Sequence, residues 1–251
     1  MASAIAAIED AARAAWPPRE QELVGGWLLR ASDGFTNRAN SASASTAAEQ
    51  LDDVTLARLE AFYRARSLAP TVQVTDRLHP AIDALLVDRG YSVRSSSSVM
   101  VADVAALIAL TAAPETSASF ELWDDAAAWL DASYLRFSDA AETTRAPHLA
   151  MLGRIGGARA LGMLRADGLS VACGLGVIGG DLLGLFDLVV APAARGRGHG
   201  SALIQGLVRW GAAHGARAAY LQVTERNDGA RRLYERLGFA PRYRYWYRTT
   251  V

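Results

Sequence analysis

Arg195, Gly196, Arg197, Gly198, His199, Gly200 and Ser201 form one run four residues after the largely apolar stretch Leu185 to Val190. Three alternating glycines remove the Cβ atoms that would keep an oxygen away from the backbone, and they tolerate positive φ. Successive N–H groups can therefore converge on one oxyanion. A helix is expected to begin at Ser201, which adds unpaired first-turn donors and the positive end of its dipole. Arg195 and Arg197 supply cations for a polyphosphate. Spacing excludes two phosphate loops. A P-loop ends in Gly-Lys-Ser/Thr, and the run has no lysine. A dinucleotide fingerprint needs a third glycine where Leu203 stands.

What remains is Arg-x-x-Gly-x-Gly, carried by Arg195, Gly198 and Gly200 and preceded by Leu188, Val189, Val190 and Pro192. This resembles the acyl-coenzyme A pyrophosphate loop of the GNAT N-acetyltransferase superfamily. Downstream, Asn227, Ala230 and Tyr234, followed by Gly238 and Phe239, are similar to the superfamily's Asn-x-x-Ala-x-x-x-Tyr helix and its closing Gly-Phe. The match spans roughly residues 118–250. The resemblance implies acetyl-CoA as cosubstrate, with Asn227 along the coenzyme arm and Tyr234 near the thioester sulfur. It also implies a strand Leu188 to Val190 that splays from its neighbour and offers a backbone N–H to the carbonyl.

Acetyl transfer from a thioester to an amine needs an unprotonated nitrogen, a polarised carbonyl and a proton for the departing thiolate. A tyrosine, with its reference pKa of about 10, stays protonated at neutral pH and can donate to sulfur. Tyr234 is accordingly the general-acid candidate, beside the alternative of a tyrosine packed on a helix face with its hydroxyl bonded. Asp187 is a carboxylate in an otherwise apolar strand, costly there unless water or a partner meets it. It can act as base or amine ligand, or be satisfied by backbone donors at the strand edge. The glutamate that some family members carry a few residues earlier is replaced by Gly184.

Other residues are open to plainer readings. His199 can touch phosphate or face solvent from its loop. His79, His148 and His214 have no metal-ligand spacing, and no metal is expected. Cys173, the only cysteine, reads as a small buried residue, so direct attack is preferred over a covalent relay. Trp123, Asp124, Asp125, Trp129, Asp131, Tyr134, Tyr243, Tyr245, Trp246 and Tyr247 would suit a cationic amine, and equally suit ordinary packing.

The elements that must position these groups follow from periodicity. Leu203, Ile204, Leu207, Val208 and Trp210 make an apolar stripe at helical spacing, ended by Gly215. Strands are expected at Phe120 to Leu122, Arg159 to Arg165, Val171 to Val177, Leu182 to Val190, Ala218 to Val223 and Arg242 to Arg248. Hairpin turns fall at Asp167-Gly168 and Gly179 to Asp181. Helices are expected near Asp124 to Leu135 and Ala140 to Leu152.

The first half repeats part of this order. Val72 to Thr75 and Leu221 to Thr224 share Gln-Val-Thr, and each is followed by a short helix closing on glycine plus aromatic, at Gly90-Tyr91 and Gly238-Phe239. A helix with stripe Leu51, Val54, Leu59 and Phe62 precedes the first copy, and the strand Val93 to Val101 follows it. A helix Ile5 to Ala15 and strands Glu22 to Arg30 and Arg38 to Ala44 open the chain. Aligning Gly90 with Gly238 sets Leu86 opposite Tyr234 and His79 opposite Asn227, and no Gly-x-Gly loop precedes the first helix. The expectation is a tandem GNAT fold of mixed, mostly antiparallel sheets flanked by helices. Residues 1–110 form a degenerate GNAT-like domain without a coenzyme loop and 118–251 the catalytic one, joined by a linker near Asp103 to Ser119. Gly26 to Arg30 and Gly34 to Ser41 resemble a bacterial two-domain GNAT subgroup.

The chain has 251 residues, with 26 basic and 26 acidic side chains in balance. That leaves no electrostatic footprint for nucleic acid. No apolar run reaches the roughly 20 residues of a membrane span, and the N-terminus lacks a basic leader. A single cysteine fits a reducing compartment. The expected protein is cytoplasmic, a monomer or homodimer, acetylating a primary amine of a small molecule or peptide. The alternatives are an acyl-CoA-binding sensor or scaffold, and acceptors such as an aminoglycoside-like antibiotic or a protein N-terminus.

Overall fold

The computed structural model describes residues 2–46, 49–76, 80–110, 118–138 and 142–250. The chain opens with helix α1 (Ala2–Ala15) and strands β1 (Glu20–Val24) and β2 (Trp27–Ala31). After a 3₁₀ turn (Asn37–Ala39) come β3 (Ser43–Ala44), α2 (Asp53–Arg64), β4 (Thr71–Thr75), α3 (Pro80–Asp88), β5 (Ser92–Asp103) and α4 (Val104–Leu110). The second half runs β6 (Ser119–Trp123), α5 (Ala126–Trp129), a π-helical turn (Leu130–Tyr134), α6 (Leu135–Phe137), α7 (Arg145–Arg154), β7 (Arg159–Ala166), β8 (Leu169–Gly179) and β9 (Leu182–Val190). It ends with α8 (His199–Ala213), β10 (Ala218–Thr224), α9 (Asp228–Arg236) and β11 (Ala240–Thr249). The succession helix, strand, helix, strand recurs as α2-β4-α3-β5 and α8-β10-α9-β11, the order that the Gln-Val-Thr copies predict.

Two compact units divide the chain, and each takes a piece of the other half of the sequence. The first comprises Met1–Val99, Thr224–Arg226 and Arg242–Val251; the second comprises Met100–Val223 and Asn227–Pro241. Strand β11, last in the sequence, pairs antiparallel with β4 from Tyr245 opposite Thr75 to Thr249 opposite Thr71, inside the first unit. Strand β5 gives Ser92 to Val99 to the first unit, while its end and α4 belong to the second, where Val104 N–H donates to Arg217 O. An exchange of final strands carries no local sequence signal, because each strand keeps its own length and pattern. The expectation of contiguous halves, 1–110 and 118–251, differs from this at those exchanged segments.

Within the first unit the expected strand Glu22 to Arg30 is a hairpin, since Gly25 and Gly26 both take positive φ, at 54° and 79°. The expected strand Arg38 to Ala44 is a 3₁₀ turn followed by two strand residues. Asn40 explains the break: its Oδ1 accepts the Ser32 and Gly34 N–H groups and its amide donates to the Phe35 and Thr36 carbonyls, holding a loop. On α2 the buried side is Leu56, Leu59, Phe62 and Tyr63. Val54, expected in the stripe, is 70 % exposed because at about 100° per residue it falls on the side of the helix opposite Leu56 and Tyr63. The segment read as a linker holds helix α4, with Val104 and Leu107 buried; residues 111–117 lie outside the described ones.

The second unit orders its strands β5, β10, β9, β8, β7 and β6. Helix α8 buries Leu203, Ile204, Leu207 and Val208 against this sheet. It sits close because Gly174 and Gly162 face it: a Cβ at Gly174 would come within 3.0 Å of Leu207, and one at Gly162 within 2.9 Å. The turn Asp167-Gly168 has positive φ at both residues, the primed-hairpin geometry its sequence predicts. The helix expected near Asp124 to Leu135 contains a π turn, a form that periodicity does not distinguish from α.

Candidate active site

Strands β9 and β10 run parallel from Leu182 opposite Ala218 to Leu185 opposite Leu221, and there the pairing stops. Both strands continue, β9 to Val190 and β10 to Thr224, so their facing edges part. On its other edge β9 stays paired with β8, with a bulge between Cys173 and Leu175 that leaves Asp187 at φ 49°. Aspartate tolerates this left-handed region better than most residues, and such strain persists where surrounding structure enforces it. Ala191 N–H donates to Val171 O on the β8 side. Alternation along a strand then turns the Val190 N–H, and Leu188 with it, toward the open edge.

The glycine loop closes the end of this opening. After a 3₁₀ turn at Pro192–Ala194, Gly196 and Gly198 both take φ 77°, and Gly198 caps α8. A Cβ at either glycine would meet nothing within 4 Å, so their backbone faces open space. At Gly200 a Cβ would lie 3.0 Å from Leu233 and 3.6 Å from Val190. The first turn of α8, the end of β9 and helix α9 therefore converge on that glycine. Arg195 and Arg197 are exposed; Arg195 Nε donates to Val190 O at 3.3 Å. Ser201 is half-buried in the first turn of α8. His199, for which a solvent-facing position was one expectation, is the first residue of α8 and is buried.

Helix α9 carries the other two candidates. Asn227 caps it, its Oδ1 accepting the Ala230 N–H at 3.1 Å, and is exposed. Tyr234 is 8 % exposed with its ring edge-on to Phe239. Its hydroxyl takes no hydrogen bond among the described residues. Burial pushes this phenol up to about 12, so it holds its proton at neutral pH.

Asp187 meets a partner that sequence reasoning missed. His148, on α7 and wholly buried, places Nε2 2.9 Å from Asp187 Oδ2. Tyr134, from the π turn, sets its ring at right angles to the imidazole, 4.9 Å between centroids. The residues are 39 apart in sequence and joined only by the fold. The available signal was a histidine in an otherwise aliphatic helix face with Met151 and Leu152. Gly184 cannot carry the family's earlier carboxylate here, because a Cβ would stand 2.6 Å from both the Phe186 ring and the Tyr220 hydroxyl.

Cys173 is fully buried, as the sequence suggests, and burial pushes its thiol up to about 12. It is therefore a poor thiolate nucleophile. Of the acceptor candidates, Trp129 is buried with Nε1 donating to Gly162 O, Asp125 caps α5, and Asp131 pairs with Arg145. Tyr243, Tyr245, Trp246 and Tyr247 lie on β11 in the other unit. His79 lies outside the described residues, and His214 is exposed, bonded to Trp210 O. Among the described residues no three His, Cys, Asp or Glu side chains gather as a metal site, and no helix is long and apolar enough to cross a membrane.

A mixed sheet whose parallel pair parts beside a glycine loop and a helix N-terminus fits the arrangement that the resemblance to the GNAT acetyltransferases implies. Comparisons with known proteins agree: residues 2–248 match the family described as "Probable histone acetyltransferase Rv0428c C-terminal". The chain is 32 % identical over 239 residues to the probable histone acetyltransferase Rv0428c of Mycobacterium tuberculosis, covering 94 % of this chain and 71 % of that protein. It is 28 % identical over 244 residues to the uncharacterized N-acetyltransferase YobR of Bacillus subtilis, covering 96 % of each. A GCN5-related N-acetyltransferase from Kribbella flavida superposes with TM-score 0.73 at 20 % identity, over 97 % of this chain and 94 % of that one. The chain belongs to the GNAT N-acetyltransferase family, and is an acyltransferase.

Proposed function

We propose that this protein moves an acetyl group from acetyl-CoA to a primary amine of a small molecule or peptide by direct attack. The observation that carries the reading is the parting of β9 from β10 after Leu185 and Leu221, beside the open backbone of Gly196 and Gly198. The residues present suit the coenzyme: backbone donors of Gly196, Gly198, His199, Gly200 and Ser201 with Arg195 and Arg197 for the pyrophosphate, Leu188 to Val190 and the Asn227 amide for the arm. When bound, acetyl-CoA supplies the thioester to be broken.

The chain's own groups then divide the work. Asp187, directly or through water, takes a proton from the acceptor's ammonium so that its nitrogen can attack. The Val190 N–H, at the open edge, stabilises negative charge on the carbonyl oxygen, a contact worth about 3 kcal/mol. Tyr234 gives its proton to the departing sulfur. The nitrogen loses its second proton, by way of water, to the Tyr234 phenolate, and the proton held by Asp187 passes to solvent, which leaves amide and free thiol as products and both side chains restored.

Free-thiol release over a panel of primary amines tests this reading. Turnover with one amine class supports it, and coenzyme binding without thiol release across the panel would favour the sensor reading instead. The description of the Mycobacterium tuberculosis relative as a probable histone acetyltransferase favours one more acceptor, a lysine-rich peptide, which belongs in the panel beside aminoglycoside-like amines and peptide N-termini. The same reading has the protein acting in the cytoplasm as monomer or homodimer, with residues 1–110 holding no coenzyme of their own.

A further inference from the structure

The Asp187 carboxylate is held asymmetrically. Its side chain is 8 % exposed, at the bulge of β9, where an ionised group is costly without a donor. Oδ2 meets His148 Nε2 at 2.9 Å, while Oδ1 accepts nothing from the described residues. His148 itself has no exposure and is fixed by α7 below and by the edge-on Tyr134 ring above. The Asp187 backbone is fixed as well: its left-handed φ follows from the bulge, and its carbonyl lies 3.9 Å from Cys173 Sγ.

We propose that His148 is a positioning residue for acetyl transfer: its Nε2–H donates to Oδ2 and turns Oδ1 toward the acceptor nitrogen. The inference rests on the reading of Asp187 as base or amine ligand. Without the imidazole Oδ2 loses its only donor among the described residues, and the productive orientation becomes one of several. Small misplacements of a reacting group cost up to about a hundredfold in rate. His148 touches no reacting atom, so its loss should fall on turnover rather than on coenzyme binding.

Two substitutions separate hydrogen bonding from packing. His148→Gln keeps an N–H donor near the position of Nε2 but loses the ring that meets Tyr134. His148→Phe keeps the ring and loses the donor. The expected result is kcat lowered about tenfold or more in His148→Phe, with the KM for acetyl-CoA within about threefold, and kcat within about threefold of wild type in His148→Gln. In Asp187→Asn, adding His148→Phe should cost nothing further, because the two residues act as one unit. The reverse pattern, an active His148→Phe and a slow His148→Gln, would overturn the proposal in favour of packing. Full activity in Asp187→Asn sinks the reading of Asp187 itself, and the proposal with it. A slow Asp187→Asn beside an active His148→Phe leaves that reading standing and removes only His148. Thermal melts confirm folding of each variant. If His148→Phe fails that check, His148→Asn, too short to reach Oδ2, takes its place with the same expected loss.

Discussion

The Tyr243 hydroxyl donates to Glu9 Oε1 at 2.6 Å, a bond between the first helix and the last strand of the chain. Gln73 Nε2 donates to the other carboxylate oxygen at 2.7 Å, so one buried acid links α1, β4 and β11 within the first unit. Burial raises the Glu9 carboxyl, outweighing the opposing effects of Tyr243, Arg13 and Gln73. A folded pKa above the unfolded one gives stability that is complete below the unfolded value, about 4.3, and is lost as pH rises through the folded value.

Glu9→Gln should therefore gain on the wild type as pH rises. The amide can still accept from Tyr243 and carries no charge to desolvate. Thermal melts from about pH 5 to about pH 8 check this, with the difference in Tm growing in favour of the variant. Parallel curves would mean that Glu9 is ionised in both states.

Gly198→Ala separates backbone strain from ligand exclusion. With φ at 77° and nothing within 4 Å of an added Cβ, the variant loses about 1 kcal/mol to the left-handed backbone and meets no clash. On the proposed reading its methyl stands where phosphate oxygens approach, so acetyl-CoA affinity should fall about tenfold by calorimetry. Unchanged affinity would remove the loop from the coenzyme site.

Arg197 forms no hydrogen bond or ion pair among the described residues, whereas Arg195 already reaches Val190 O. Arg197→Ala should leave Tm unchanged within about 0.5 kcal/mol of stability and weaken acetyl-CoA binding about threefold to tenfold at low salt. The gap between the two proteins should narrow near 0.5 M salt, where the Debye length is roughly 4 Å. A gap independent of salt would point to lost packing instead.

The parts of the fold fixed by local chemistry were legible: the glycine loop, the α8 stripe, the Asp167-Gly168 turn and the recurring order of elements all follow from spacing along the chain. The parts set by distant contacts were not. Val54 pairs with Leu51 by spacing, yet Leu51 lies ahead of the Asp52 cap, and the helix that starts there buries Leu56, Leu59 and Tyr63, which puts Val54 on the opposite side. Nothing in Tyr243 or Glu9 announces that the last strand joins the first unit. His148 was dismissed for want of a metal partner in its own neighbourhood, because its partner Asp187 arrives only through the β9 bulge. Asp187 was found because a carboxylate in an apolar strand is costly wherever it lies.

Tyr234→Phe tests the remaining catalytic assignment most sharply. The hydroxyl has no hydrogen-bond partner among the described residues, so its removal breaks no bond and should change stability by less than about 1 kcal/mol. If it delivers the proton to sulfur, kcat falls about a hundredfold while the KM for acetyl-CoA stays within about threefold. Burial adds a second signature. With the phenol pushed up to about 12, Tyr234 stays protonated through the range near pH 10 where an ordinary tyrosine ionises. The wild-type rate should therefore show no basic limb from this group below about pH 11. A variant with full turnover would leave Tyr234 as a packing residue on Phe239 and require solvent to protonate the thiolate.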